Sequence, residues 1–149
     1  MTASGHALLG AIIAAKTGDP LLAGVLAFGS HIVADILPHW DAGTHREDKT
    51  NARLFWEAAA DVILGIILVI VFMHFFAPTV NLAYTFFIVF ISQGLDWITA
   101  PYLFLQMKFP PFSWVYKFQS EINNKLDKPW GIITQIAFVL FVFLLFFVF

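Results

Sequence analysis

Residues 54–77 read LFWEAAADVILGIILVIVFMHFFA, an almost unbroken apolar run carrying only two acidic side chains, Glu57 and Asp61, both in its first third. A helix needs about 20 such residues to cross a bilayer core of roughly 30 Å, so this stretch predicts a transmembrane helix. Residues 81–104 form a second run of that kind, interrupted only by Gln93 and Asp96. Residues 130–149 form a third, with no charge at all. The N-terminal region is shorter in each part. Residues 6–16 are apolar up to Lys16, Thr17-Gly18-Asp19-Pro20 makes a turn, and residues 21–37 follow. This pattern predicts a helical hairpin whose first arm is short or re-entrant. No basic start precedes the apolar run, which argues against a cleaved signal peptide.

The composition agrees. The chain has 149 residues, 60% hydrophobic and 12% charged, with mean hydropathy +0.81, eighteen Phe and five Trp. A soluble domain is about a quarter charged, and so short a chain cannot hide this much aromatic surface from water. The expected fold is therefore an all-α integral membrane domain spanning residues 1–149, a bundle of five transmembrane helices. An amphipathic interfacial helix is expected over 109–128, and 38–53 reads as a polar loop. A net charge of −2 excludes nucleic acid as a main partner. The absence of cysteine excludes disulfides, thiolate zinc sites and cysteine nucleophiles, which leaves His and carboxylates to hold any metal.

Five spans put seven of the eight basic residues (Arg46, Lys49, Arg53, Lys108, Lys117, Lys125 and Lys128) on one face, against Lys16 alone on the other. Basic residues flank spans on the cytoplasmic side, so the N-terminus is expected inside and the C-terminus outside. In that topology the ionisable residues within the spans gather near the cytoplasmic face. His6 opens the first span, and His31 and Asp35 share one face late in the second. Glu57 and Asp61 share a face early in the third, and Asp96 lies in the inner half of the fourth. His31, Asp61 and Asp96 are each expected about 10–14 Å below that face. His39 and Asp41 follow the second span directly.

Charges in a span cost at least a few kcal/mol each and need a partner or a purpose. Imidazole and carboxylate without thiolate suit a divalent cation, Zn first, with Mn or Mg as the other choices. His6, His31, Asp35, His39, Asp61 and Asp96 are the expected ligands. The ion would activate water, with Asp41 or Glu57 taking its proton, while Arg46, Lys49 and Arg53 at the rim hold a phosphate. Blander roles compete: His31 and Asp35 as an interhelical hydrogen-bond pair, Glu57 as a charge at a helix start, and His39, Asp41 and His45 as loop polarity.

Ser4-Gly5-His6, Gly29-Ser30-His31-x3-Asp35-x2-Pro38-His39-Trp40-Asp41 and Thr44-His45-Arg46 together resemble the small bacterial inner-membrane proteins grouped as membrane-bound, metal-dependent hydrolases. The resemblance covers about the first 60 residues, and His39 stands where an Asp is common in that family. The His-x3-Asp element is also similar to helices of zinc-dependent phospholipases C and nucleases, whose second pair begins with His where this chain has Glu57. These resemblances imply hydrolysis of a phosphoester, a lipid or isoprenoid phosphate reached from the inner leaflet, in a bacterial inner membrane. Lipid phosphatases that use a phosphohistidine share His-x3-Asp but need an upstream Arg, and Leu22–Gly29 has no basic residue. A cation or proton carrier built on the same carboxylates, or a scaffold whose polar cluster locks helices together, are the readings from other classes.

Overall fold

The structure, a computed structural model, describes residues 1–148. Among these residues there are seven α-helices, one 3-10 turn at Arg46–Asp48 and no strand. The helices are α1 (Ala3–Lys16), α2 (Pro20–Ile36), α3 (Asn51–Phe76), α4 (Leu82–Ser92), α5 (Gly94–Phe104), α6 (Phe112–Ile122) and α7 (Trp130–Phe147). Their starts follow local rules. Thr2, Asp19, Thr50 and Asn81 each accept a backbone N–H of the first turn, and Pro20 occupies a first-turn position of α2 where it needs no donor.

Two helices, α3 and α7, are long and apolar enough to cross a membrane. The run predicted as a single fourth span is two helices, α4 and α5, bent by 57° at Gln93; taken as one broken span they make a third. α1, with 14 residues, is about 21 Å long. It is short for a crossing, and it starts at Ala3 rather than at His6.

Its position compensates. α1 is the central helix, buried on nearly all sides among α2, α3, α4 and α7, as expected of a helix apolar all round. Ala7, Ala11 and Ile12 pack on Val69, Phe72 and Met73 of α3 and Val89 of α4. Ile13 and Ala14 pack on Ala23 and Ala27 of α2 and Ile88 of α4. Small residues permit this closeness: a Cβ at Gly10 would meet Ser92 Oγ at 2.7 Å and Val89 Cα at 3.0 Å. The outer helices turn large apolar side chains away from the protein, with Leu21 79% and Phe75 71% exposed. So continuous an apolar exterior calls for a hydrocarbon solvent.

Of the expected interfacial stretch, only 112–122 is helical. Residues after it run extended alongside the 37–41 loop: His39 N donates to Asn124 O (3.0 Å), Leu126 N to His39 O (2.6 Å), and Trp40 N to Gly131 O (3.1 Å). A Cβ at Gly131 would lie 2.7 Å from Trp40 N, so only glycine lets α7 start against this loop. The strap fixes His39 and Asp41 beside the end of α2.

Candidate metal centre

Four elements deliver imidazoles and carboxylates to one buried point. α1 brings His6, α2 brings His31 and Asp35, the following loop brings His39 and Asp41, and α5 brings Asp96. His6, His31 and His39 are fully buried and Asp35 nearly so. Asp35 is the centre. Its Oδ1 lies 3.2 Å from His6 Nε2 and 4.0 Å from His39 Nε2, and its Oδ2 lies 3.2 Å from His31 Nε2. The Met1 backbone nitrogen also contacts Asp35 Oδ1. His31 Nε2 is 3.8 Å from Asp96 Oδ1, and His39 Nε2 is 3.7 Å from Asp41 Oδ2. The His6 and His31 rings stack at 3.9 Å with planes 6° apart. One ligand atom from each of His6, His31 and Asp96 falls within 4.8 Å of the others.

The outer nitrogens explain how two of the rings are aimed. His31 Nδ1 sits 2.7 Å from the Ser92 carbonyl, and His39 Nδ1 sits 2.7 Å from the Leu37 carbonyl. A carbonyl accepts only, so both Nδ1 atoms carry a proton, and both rings turn Nε2 to the centre. This is how metal-binding histidines are oriented from behind. His39 Nε2 and His6 Nδ1 are buried with no hydrogen-bond partner. Gln119 of α6 reaches over the top, its amide donating to Asp96 Oδ1 (2.8 Å) and lying 3.2 Å from His31 Nε2 while its oxygen accepts from Thr99.

Asp41 and Asp96, at the edge of the buried cluster, also line a cavity of about 500 Å³. One flank is apolar, with Leu54, Trp97, Leu103 and Phe104. The other carries Arg46, Lys125 and Asn123. Arg46 Nη1 is buried there without a partner. Lys125 Nζ donates to Gly43 O and lies 3.8 Å from Asp41 Oδ1. Burial opposes the charge on Asp41, but the nearby His39 imidazole, Lys125 and Asn123 outweigh it and hold its carboxyl well below the usual carboxylate range.

Among the expected ligands, His6, His31, Asp35, His39 and Asp96 come together. Asp61 lines the cavity, but its oxygens are occupied elsewhere. They accept from Ala3 N (2.5 Å), Ser4 N (3.3 Å) and Ser4 Oγ (2.6 Å), closing the N-terminus of α1. Glu57, expected as a proton acceptor, is outside the cavity lining and pairs with Lys49 (2.7 Å) and Arg53 (2.8 Å). Those two cations are thereby taken from the phosphate role, and only Arg46 of the expected three borders the cavity. Asp41, the other expected acceptor, does border it. Gln119, Lys125 and Asn123 were not anticipated. Tyr116, Gln119 and Asn123 do fall at helical spacing on one side of the 109–128 segment, but the spacing alone does not say what that side faces. His45 points outward, pairing with Asp127 at 2.6 Å.

The fold and cluster define a class, a helical protein with two or three helices long and apolar enough to cross a membrane and an internal His/Asp cluster. Among known proteins, no family model, no curated protein and no solved structure matches this chain.

Proposed function

We propose that this chain is a membrane-embedded, metal-dependent hydrolase of a phosphoester, acting on a lipid-like phosphate. The single observation that carries the reading is the set of three fully buried histidines and two carboxylates around Asp35, with His39 Nε2 turned to the cluster without a hydrogen-bond partner. Donors of this kind, all nitrogen and oxygen, fit Zn best and Mn or Mg next. The bound ion would act as a Lewis acid and as the means of making hydroxide at neutral pH.

The chain's own residues do the rest. Ser92 and Leu37 carbonyls keep His31 and His39 in the tautomer that offers Nε2. Arg46 and Lys125 on the polar flank hold phosphate oxygens. Leu54, Trp97, Leu103 and Phe104 receive the apolar part of the substrate on the opposite flank. Water then replaces the alcohol on phosphorus: a P–O bond to water forms, the ester P–O bond breaks, and the leaving alkoxide takes up a proton. The wider placement belongs to the same reading: five crossings with α4 and α5 as one broken span, α6 at the interface, and the N-terminus cytoplasmic in a bacterial inner membrane.

The test uses the full chain purified in detergent. Metal content is measured first, then phosphate release from phosphatidylcholine vesicles doped with phosphatidic acid or a polyprenyl monophosphate. Bound Zn, chelator-sensitive phosphate release and loss of both in His31→Ala are the expected results. Absence of bound metal in active wild type would overturn the reading. Metal uptake into vesicles without phosphate release would replace it with a cation carrier.

A further inference from the structure

We infer that the centre holds two divalent cations side by side, the second bound by His39, Asp41 and one oxygen of Asp35, with Asp35 bridging the pair. This second site rests on the metal reading above and deepens it.

The cluster divides into two halves around Asp35. On one side His31 Nε2 faces Asp35 Oδ2 at 3.2 Å and Asp96 Oδ1 at 3.8 Å. On the other, His39 Nε2 faces Asp35 Oδ1 at 4.0 Å and Asp41 Oδ2 at 3.7 Å. Each half is a histidine with its own carboxylate on the cavity wall; Asp35 Oδ2 turns to His31, while Oδ1 faces His39 and also His6 Nε2 at 3.2 Å and the Met1 nitrogen. The triad that closes on a single point is His6, His31 and Asp96, and His39 is not part of it.

His39 therefore needs its own explanation. Its ring is fully buried, its Nδ1 proton is given to the Leu37 carbonyl, and its Nε2 has no hydrogen-bond partner. The flanking oxygens at 3.7 and 4.0 Å are too distant for hydrogen bonds. Two ligand atoms sharing one tetrahedral Zn stand about 3.4 Å apart, from bond lengths near 2.1 Å, so His39 Nε2 would have to approach its two flanking oxygens by about 0.3–0.6 Å to share an ion with them. Support from behind is present as well. Asn123 Nδ2 donates to Asp41 Oδ2 (3.2 Å) and Thr44 Oγ1 to Asp41 Oδ1 (3.2 Å), fixing the carboxylate as outer partners fix a ligand. Asp41 thereby moves from the expected proton acceptor to ligand. A pair of ions sharing a carboxylate suits in-line displacement at phosphorus, where attacking and leaving oxygens both need stabilising.

The experiment loads the detergent-solubilised full chain with Mn²⁺ after chelation and measures bound Mn per chain together with the electron paramagnetic resonance spectrum. Two Mn per chain with an exchange-coupled spectrum are expected for wild type. His39→Ala should keep one ion and show the six-line signal of isolated Mn²⁺. Asp41→Asn, nearly isosteric, should do the same, and its result decides if His39→Ala elutes as aggregate. One uncoupled Mn in wild type, or two retained in the folded variant, overturns the second site. One ion whose binding is unchanged by either variant also overturns it, and leaves the hydrolase reading standing. No ion in wild type defeats both.

Discussion

Asp61 separates two explanations of a buried acid, and its substitution tests the structural one. The carboxylate accepts three donors at the start of α1: Ala3 N, Ser4 N and Ser4 Oγ. These include two of the backbone N–H groups that no helix can satisfy internally. The site is half-buried, so each bond is taken at about 1 kcal/mol net, and Asp61→Ala should lower stability by about 3 kcal/mol. Asp61→Asn retains one acceptor oxygen but points an amide donor at another donor, and should cost about 2 kcal/mol. Because α1 carries His6 one turn further on, loosening this end should weaken metal binding indirectly, by about 10–100-fold as outer-shell changes do, with stoichiometry unchanged. Urea unfolding in mixed micelles, followed by tryptophan fluorescence, reads the stability change; competition with a chromophoric chelator reads the affinity. Loss of the bound ion in Asp61→Asn at unaltered stability would refute the capping role and make Asp61 a ligand.

Two further outcomes follow from the same geometry. Glu57→Gln should leave phosphate release within about twofold of wild type and change stability by less than about 1 kcal/mol, because its pairs with Lys49 and Arg53 are near the surface; a large loss of kcat would put Glu57 back in the reaction. Arg46→Ala removes the unpartnered guanidinium from the cavity wall, and a lost charged hydrogen bond of about 1.5–3 kcal/mol should raise KM for a lipid phosphate about 10–150-fold with metal content intact. An unaltered KM would mean that the phosphate sits elsewhere.

What could be read ahead of the structure was what depends on period and order along the chain. The helices α3 and α7 fall on long apolar runs, and the His31/Asp35 pair is an i,i+4 relation that any helix honours. That His6, His31, Asp35 and Asp96 lie at one level follows from alternating direction of successive helices. What could not be read depends on which of several available partners an acid takes. Asp61 in an apolar run has to be neutralised, but a cation and an exposed helix N-terminus satisfy it equally, and the second is visible only once α1 is seen to start beside it. Glu57 had Arg53 one turn behind it and Lys49 in the preceding loop, so a local ion pair competed from the outset with a role in the site. Gln119 and Lys125 come from a segment whose amphipathic pattern says only that one side faces something apolar. Nothing in the pattern says that it lies across the mouth of the cluster.

The break between α4 and α5 ties these pieces together. An unwound turn inside a membrane protein is tolerated where its freed polar groups find protein partners, and here each one found serves the cluster. The Ser92 carbonyl accepts from His31 Nδ1, the Ser92 hydroxyl bridges the carbonyls of His6 and Val89, and the Gln93 amide donates to Ala3 O. The turn therefore grips α2 through His31 and α1 through His6 and Ala3, while the 57° bend swings Asp96 toward His31. A straight helix over 82–104 would keep its carbonyls for itself and leave His31 with no acceptor to set its tautomer. Gly10 makes the approach feasible, since any side chain there would strike Ser92. A local rule of helix continuity is broken at the one place where breaking it aims a histidine, which is where departures from regular structure are expected when a site has to be built.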